Sequence, residues 1–208
     1  MATLFKRLGA NTIVTANSTV TAYTVPTNCK TIIKSFIISN GSAATALVTI
    51  RFAGTAIVYL YAMKPYDTIV IPVVDQLLIS GNSITLDSNA GNSISYYISG
   101  IEATIYDPEY ADVLRFGAGT IPVSSGTIVA SSSKDRIVKG IVICNTNSSD
   151  KTISMWISGF NILQAFTVKS LDTILVPTSD LLIPTTETIT ASANSGGVQY
   201  YITGKELG

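Results

Sequence analysis

Residues 67–78 read Asp-Thr-Ile-Val-Ile-Pro-Val-Val-Asp-Gln-Leu-Leu, and residues 172–183 read Asp-Thr-Ile-Leu-Val-Pro-Thr-Ser-Asp-Leu-Leu-Ile. The two stretches lie 105 residues apart in a chain of 208. In each, an Asp opens an apolar strand, a Pro closes it, and a second Asp follows three residues later. Two unrelated β-rich segments would not share that punctuation by chance. The surrounding residues carry the match outward. Ile32 to Asn89 aligns without a gap on Ile137 to Asn194, with 16 identities in 58 pairs, among them Lys34/Lys139, Asn40/Asn145, Gly54/Gly159, Lys64/Lys169 and Pro72/Pro177. After Asn89 the offset falls to 104, and Tyr96-Tyr97-Ile98-Ser99-Gly100 matches Tyr200-Tyr201-Ile202-Thr203-Gly204. The starts echo each other too, Lys6-Arg7-Leu8-Gly9-Ala10 against Leu114-Arg115-Phe116-Gly117-Ala118. Each repeat therefore reads as one domain, residues 1–106 and 107–208, with 106–112 (Tyr-Asp-Pro-Glu-Tyr-Ala-Asp) as a short, acidic linker.

About 100 residues suffice for a single hydrophobic core without staples. The chain is rich in Ile, Val, Thr and Tyr, which suit a pleated, half-buried surface, and long helical periodicity is missing. Short apolar runs are expected as strands near 12–15, 19–24, 31–39, 45–52, 55–62, 67–73, 82–87 and 93–102. The second repeat repeats them near 120–123, 126–130, 136–145, 151–158, 160–167, 172–177, 186–192 and 198–205. Gly, Asn, Ser and Asp punctuate the runs, as at Asn40-Gly41 and Ser80-Gly81-Asn82. The expected fold is all-β: two tandem antiparallel β-sandwiches, either immunoglobulin-like or jelly-roll.

Lys+Arg and Asp+Glu each number 13, and charged residues are only 12% of the chain. So little charge gives no electrostatic reason to bind nucleic acid or an anionic membrane surface, and little self-repulsion to oppose association. The start lacks the continuous apolar core of a signal peptide. The most apolar window, Phe52 to Met63, is too short to span a bilayer, which needs roughly 20 residues. Cys29 and Cys144 occupy non-equivalent positions and read as free thiols from a reducing compartment.

Candidate chemistry is sparse. The chain has no His, which removes His-dependent nucleophile systems and the usual zinc sites. Ser131-Ser132-Ser133-Lys134 matches a Ser-x-x-Lys pattern, but the helix and partner motifs that it needs are missing. Gly117-Ala118-Gly119 lacks the third glycine of a dinucleotide turn. Asp67, Asp75, Asp172 and Asp180 are candidates for an acid–base pair or for calcium, yet turn capping explains their recurrence in both repeats better. The expectation is no enzyme, no cofactor and no metal.

Positions where the repeats differ are the candidate interface. Arg51 stands opposite Trp156, the single Trp. Tyr59 stands opposite Gln164, and Lys64-Pro65-Tyr66 opposite Lys169-Ser170-Leu171. Arg, Tyr and Trp are enriched at interfaces, so Arg51, Tyr59, Tyr66 and Trp156 form the candidate set. The alternative for Tyr59 is a side chain lying over the sheet with its hydroxyl in water, and for Trp156 it is a covered sheet face. On residues 57–62, Val58, Leu60 and Ala62 are expected to face the core.

Tyr23-Thr24-Val25-Pro26 runs into Lys30-Thr31-Ile32-Ile33-Lys34-Ser35, then Ile37-Ile38-Ser39-Asn40, the strand at Asp67-Thr68-Ile69 and the closing Gly100-Ile101-Glu102. Ile141-Val142-Ile143-Cys144-Asn145-Thr146 repeats the pattern, while Tyr-Thr-Val-Pro is reduced to Thr127-Ile128-Val129-Ala130. Each half so resembles a small β-sandwich domain of tailed-bacteriophage virion structural proteins. The resemblance implies a tandem duplication that assembles by protein–protein contacts, with itself as a homo-oligomer or ring and with other virion proteins. It implies a place at the tail or neck, or on the capsid surface as decoration, in a virion made in the host cytoplasm. A receptor- or carbohydrate-binding module of a tail fibre is the alternative. Residues specific to function do not carry over from it.

Overall fold

The computed structural model describes residues 4–207, apart from 72, 74, 105, 108, 109, 111, 177 and 179. The strand-closing Pro72 and Pro177, and Pro108, Glu109 and Ala111 of the expected linker, lie outside the described residues. The chain divides into two compact units, Met1–Ala111 and Asp112–Gly208.

The first unit has nine strands: β1 (Leu4–Ile13), β2 (Val20–Thr24), β3 (Cys29–Asn40), β4 (Ala46–Phe52), β5 (Thr55–Met63), β6 (Thr68–Val70), β7 (Gln76–Ile79), β8 (Ser83–Ser88) and β9 (Ile94–Thr104). They form two antiparallel sheets, β1-β9-β3-β6, with β7 also on β3, and β2-β8-β4-β5. If β6 and β7 are taken as one interrupted strand, the first strand pairs with the last, the second with the next to last, and so inward to β4 with β5. That nested pairing, divided over two sheets, is a jelly roll. It decides between the two sandwich topologies that the sequence leaves open.

The second unit repeats the plan with β10 (Val113–Thr120), β11 (Gly126–Val129), β12 (Arg136–Asn145), β13 (Lys151–Ile157), β14 (Phe160–Val168), β15 (Thr173–Val176), β16 (Leu181–Ile183), β17 (Ile189–Ala193) and β18 (Val198–Glu206). Its sheets are β10-β18-β12-β15, with β16 on β12, and β11-β17-β13-β14.

Period-2 alternation builds each core. In β8, Ile84, Leu86 and Ser88 point inward while Ser83, Thr85 and Asp87 remain partly exposed. Phe36 and Phe52 bring the two sheets of the first unit together, with ring centroids 6.5 Å apart and an interplanar angle of 13°. Side chains of this kind contribute roughly 1.5–3 kcal/mol each when fully buried. In the second unit, Ile141, Ile143, Met155, Ile189 and Ile202 do the same.

Three strand expectations need correction. The run at 12–15 is the end of the longer β1, and that at 120–123 begins where β10 ends. Lys6, Arg7 and Gly9 hide the alternation of β1. Gly9 is no turn: a Cβ there would stand 2.6 Å from the Ala22 carbonyl oxygen, and one on Gly117 would stand 2.4 Å from that of Ile128. Both glycines follow a bulge, at Leu8 and at Phe116. These contacts also align Ala22 with Ile128, so Tyr23 corresponds to Val129, two places beyond the match read from sequence. Finally, 67–73 is not one strand. The chain breaks after β6 and returns as β7, through Asp75 at φ 44°.

The opening stretch and its neighbours now have physical roles. Asp67 and Asp172 each accept the N–H of the next residue, Thr68 at 2.9 Å and Thr173 at 2.8 Å. Asp75 instead pairs with Lys34 at 2.6 Å, and Asp180 pairs with Lys139. These pairs are exposed, so each is worth about 0–1 kcal/mol. Asn40 and Asn145 do more. Buried Asn145 donates from Nδ2 to the carbonyls of Ser149 (2.9 Å), Val168 (3.2 Å) and Lys169 (2.9 Å), and its Oδ1 accepts from the Asn147 N–H at 3.0 Å. Asn40 makes the same set with Ala44, Met63, Lys64 and Ser42.

Candidate interaction surface

In the first unit, Leu47 and Arg51 are only partly buried between the buried Ala46, Val48, Ile50 and Phe52, so they face away from the core, while Thr49 on the same side is itself buried. Arg51 is half-buried and donates to the Asp87 carboxylate on the neighbouring β8. Trp156 holds the same outward position on β13 and is also half-buried, beside Thr190 of β17 and Asn161 of β14. The residue equivalent to Asp87 is Ser192. Both members of the ion pair are thus replaced together. Sequence reasoning missed that exchange although the alignment shows it; the two change together because loss of the Arg alone would leave a half-buried carboxylate without its cation.

A concavity of about 400 Å³ opens on this face of the first unit, lined by Asn17, Thr19, Leu47, Arg51, Leu60, Asp87, Ser88 and Asn89. Leu60 lines it because β5 does not alternate as expected. A bulge displaces the register between Val48 and Ile50, and Leu60 takes φ 46°. The Thr49 hydroxyl accepts the Leu60 N–H at 3.1 Å. The second unit has the same device, Ala165 at φ 47° with its N–H on the Ser154 hydroxyl at 3.0 Å. The expected core face of Val58, Leu60 and Ala62 is therefore corrected: Ile57 and Val58 are both buried, while Leu60 and Ala62 are exposed.

Tyr59 is half-buried next to this bulge. Tyr66 is 72% exposed in the turn after β5, at φ 56°, and donates its N–H to the Ser42 carbonyl at 3.2 Å. Arg51 and Leu60 share the concavity, whereas Tyr66 stands in a turn braced by the Ser42 loop. Trp156 belongs to the other unit. Sequence reasoning also missed Phe160, 79% exposed at the tip of the β13–β14 hairpin, where the first unit has Thr55.

The motif candidates are absorbed by the fold. Ser132 donates to Glu206 at 2.9 Å and accepts the Lys134 N–H at 3.1 Å, in a loop before β12. Tyr23 is hydrogen-bonded to Glu102 and Thr31, and burial followed by the Glu102 bond pushes its hydroxyl well above the usual range. Arg136 is buried, donates to the carbonyls of Ala130 (2.7 Å) and Glu187 (3.0 Å), and lies 5.4 Å from the Phe116 ring centroid. Burial lowers its basicity, with Glu206 opposing. Among the described residues, three or more His, Cys, Asp or Glu side chains do not gather in a metal-holding group. Cys29 and Cys144 are free thiols.

No family model matches the chain, and no curated protein matches it. Solved structures do. The major capsid protein of bacteriophage PM2 aligns over 100% of this chain and 98% of its own, at 11% identity and a TM-score of 0.37. A structure of Sulfolobus Turreted Icosahedral Virus aligns over 99% and 90%, at 10% identity and a TM-score of 0.29. Allantoicase aligns over 90% and 76%, at 8% identity and a TM-score of 0.26. Likeness at this level assigns no role to any residue here.

Proposed function

We propose that the chain is a structural protein of a tailed-bacteriophage particle, built by duplication of one jelly-roll domain and working by protein–protein contact. One observation carries this reading. The residues that the repeats share hold the fold, whereas the outward positions Arg51/Trp156, Asp87/Ser192, Tyr59/Gln164 and Tyr66/Leu171 diverge. Surfaces that diverge on a common scaffold fit one chain that fills two similar but distinct positions in an assembly. Jelly rolls recur in capsids and in lectins, which agrees with the reading without establishing it. Residues 1–106 and 107–208 would act as its two domains, with Arg51, Tyr59, Tyr66 and Trp156 as contacts to other copies or other virion proteins. A neck or tail position and a capsid-surface position both use such a chain, and no catalytic step is needed. Quantitative mass spectrometry of purified particles tests it: a fixed stoichiometry at a multiple of the particle symmetry is expected. Absence from particles that are otherwise complete would refute it.

The concavity at Arg51 and Asp87 supports a second reading, a receptor- or carbohydrate-binding module, because paired polar groups beside Leu47 and Leu60 can engage a sugar ring. Saturation-transfer NMR against host surface glycans decides it. Enhancements lost on Arg51→Ala favour this reading, and their absence removes it.

A further inference from the structure

The outer face of the sheet β1-β9-β3-β6 carries an apolar row where water would favour a polar one. Strand register sets Ala10 beside Tyr97, Tyr97 beside Ile37, and Ile37 beside Val70. Tyr97 is 48% exposed, Ile37 37% and Val70 68%. The next row on this face is Thr12, Ser95, Ser39 and Thr68, hydroxyls throughout. These two rows contain no charge, so a second copy could lie against them without burying one.

The second repeat supplies a comparison. Its equivalent row is Ala118, Tyr201, Val142 and Leu175, matched position for position. There Tyr201 is 0% and Val142 2% exposed. Arg115 sits 5.8 Å from the Tyr201 ring centroid, and its counterpart Arg7 is exposed. The centre of the same apolar row is thus buried in one repeat and open in the other, while Ala118 and Leu175 at its ends are half-buried.

We propose that the row Ala10–Tyr97–Ile37–Val70 is a self-association surface, covered by a second copy of this chain, so that both repeats bury it in the assembly. The inference rests on the assembly reading above. The two outward rows over four strands span roughly 13 by 19 Å, or about 250 Å² per partner, below the ~800 Å² of a standard interface. The contact is therefore weak in isolation, with a Kd of about 10 µM or more, and gains strength through multivalency when an assembly closes.

Sedimentation velocity from 1 to ~200 µM, with native mass spectrometry, tests it. The wild-type chain should associate over this range. Tyr97→Asp and Ile37→Asp should each weaken association at least about 30-fold, since each buries a charge in an apolar contact. Val123→Asp, at an exposed site off this sheet, should not, and all three variants should melt with the wild type. Independently of any variant, hydroxyl-radical labelling of Tyr97 should fall as concentration rises. A wild-type chain that stays monomeric at ~200 µM overturns the proposal. So does association that neither Asp variant weakens, an outcome that leaves the assembly reading standing. Absence from purified particles would instead sink the assembly reading and leave measured self-association intact.

Discussion

Replacing Asn145 by Ala tests how much of the second unit depends on one buried amide. Two Nδ2 hydrogens serve the carbonyls of Ser149, Val168 and Lys169, and Oδ1 takes the Asn147 N–H. The loss is about three hydrogen bonds at ~1 kcal/mol each, or ~3 kcal/mol, and more where a carbonyl is left buried without a donor. For a unit of this size each kcal/mol moves the midpoint by roughly 4–8 °C, so Tm should fall by about 12–24 °C. Urea unfolding followed by circular dichroism gives the free energy, and calorimetry assigns the shift to one of two transitions. Asn145→Asp supplies a control with almost the same shape. At neutral pH it points a carboxylate at three carbonyls and should be at least as damaging. Protonation at low pH should recover part of the loss. Asn40→Ala should destabilise the first unit by a similar amount. A cost below ~1 kcal/mol for both Ala variants would show that the loops hold themselves and that the shared Asn is incidental.

Gly204→Ala would set a Cβ 2.1 Å from the Ile137 carbonyl oxygen and 2.3 Å from Phe116 Cε2; a loss of at least ~3 kcal/mol is expected in urea unfolding, against ~1 kcal/mol at Gly54, where φ is 82° and the space is open. Burial pushes the Tyr201 hydroxyl from 10.0 to about 12, with Arg115 opposing. Because the folded value is the higher one, this stability is fully present below pH ~10 and is lost as pH rises through ~12. Up to ~3 kcal/mol is at stake, and Tyr201→Phe should flatten that part of the alkaline profile. The Cys144 thiol is fully buried and raised to about 11. A thiol-exchange assay should therefore count one reactive thiol, Cys29, in the native chain and two after unfolding. Trp156 fluorescence should be open to iodide in the free chain and shielded in the particle if its face is a contact, and equal quenching in both states removes it from the interface.

Strand identity was legible where alternation was clean. β8, with its regular inward Ile84 and Leu86, needed nothing beyond period 2. β1 was not legible, because its glycine answers to a carbonyl on β2, a strand of the other sheet and invisible in a local window. The same applies to topology. Register couples Leu4 to Glu102 and Val113 to Lys205, and no local pattern encodes a partner that far along the chain. The outward position of Arg51 and Trp156 could be read from their divergence. The exposure of Leu60 could not, since a left-handed residue that is not Gly leaves no compositional trace. The partner of Arg51 was present in the alignment all along, as the joint change of Asp87 to Ser192.

The pairing of first strand with last also sets the order in which this chain can fold as it is made. β1 emerges from the ribosome with its neighbour in the sheet, β9, not yet synthesised. The first repeat must wait, with Ile13 and other apolar residues unprotected, until the chain has been extended past Thr104. Contacts this distant in sequence make folding slow, and unpaired edges are the species that aggregate. By the time β18 appears, the first repeat has had the whole synthesis of the second in which to close. The N-terminal repeat thus has a head start of about 100 residues, several seconds at ordinary elongation rates. The second repeat closes only once β18 has been made, so a chain broken off before Val198 would leave it open.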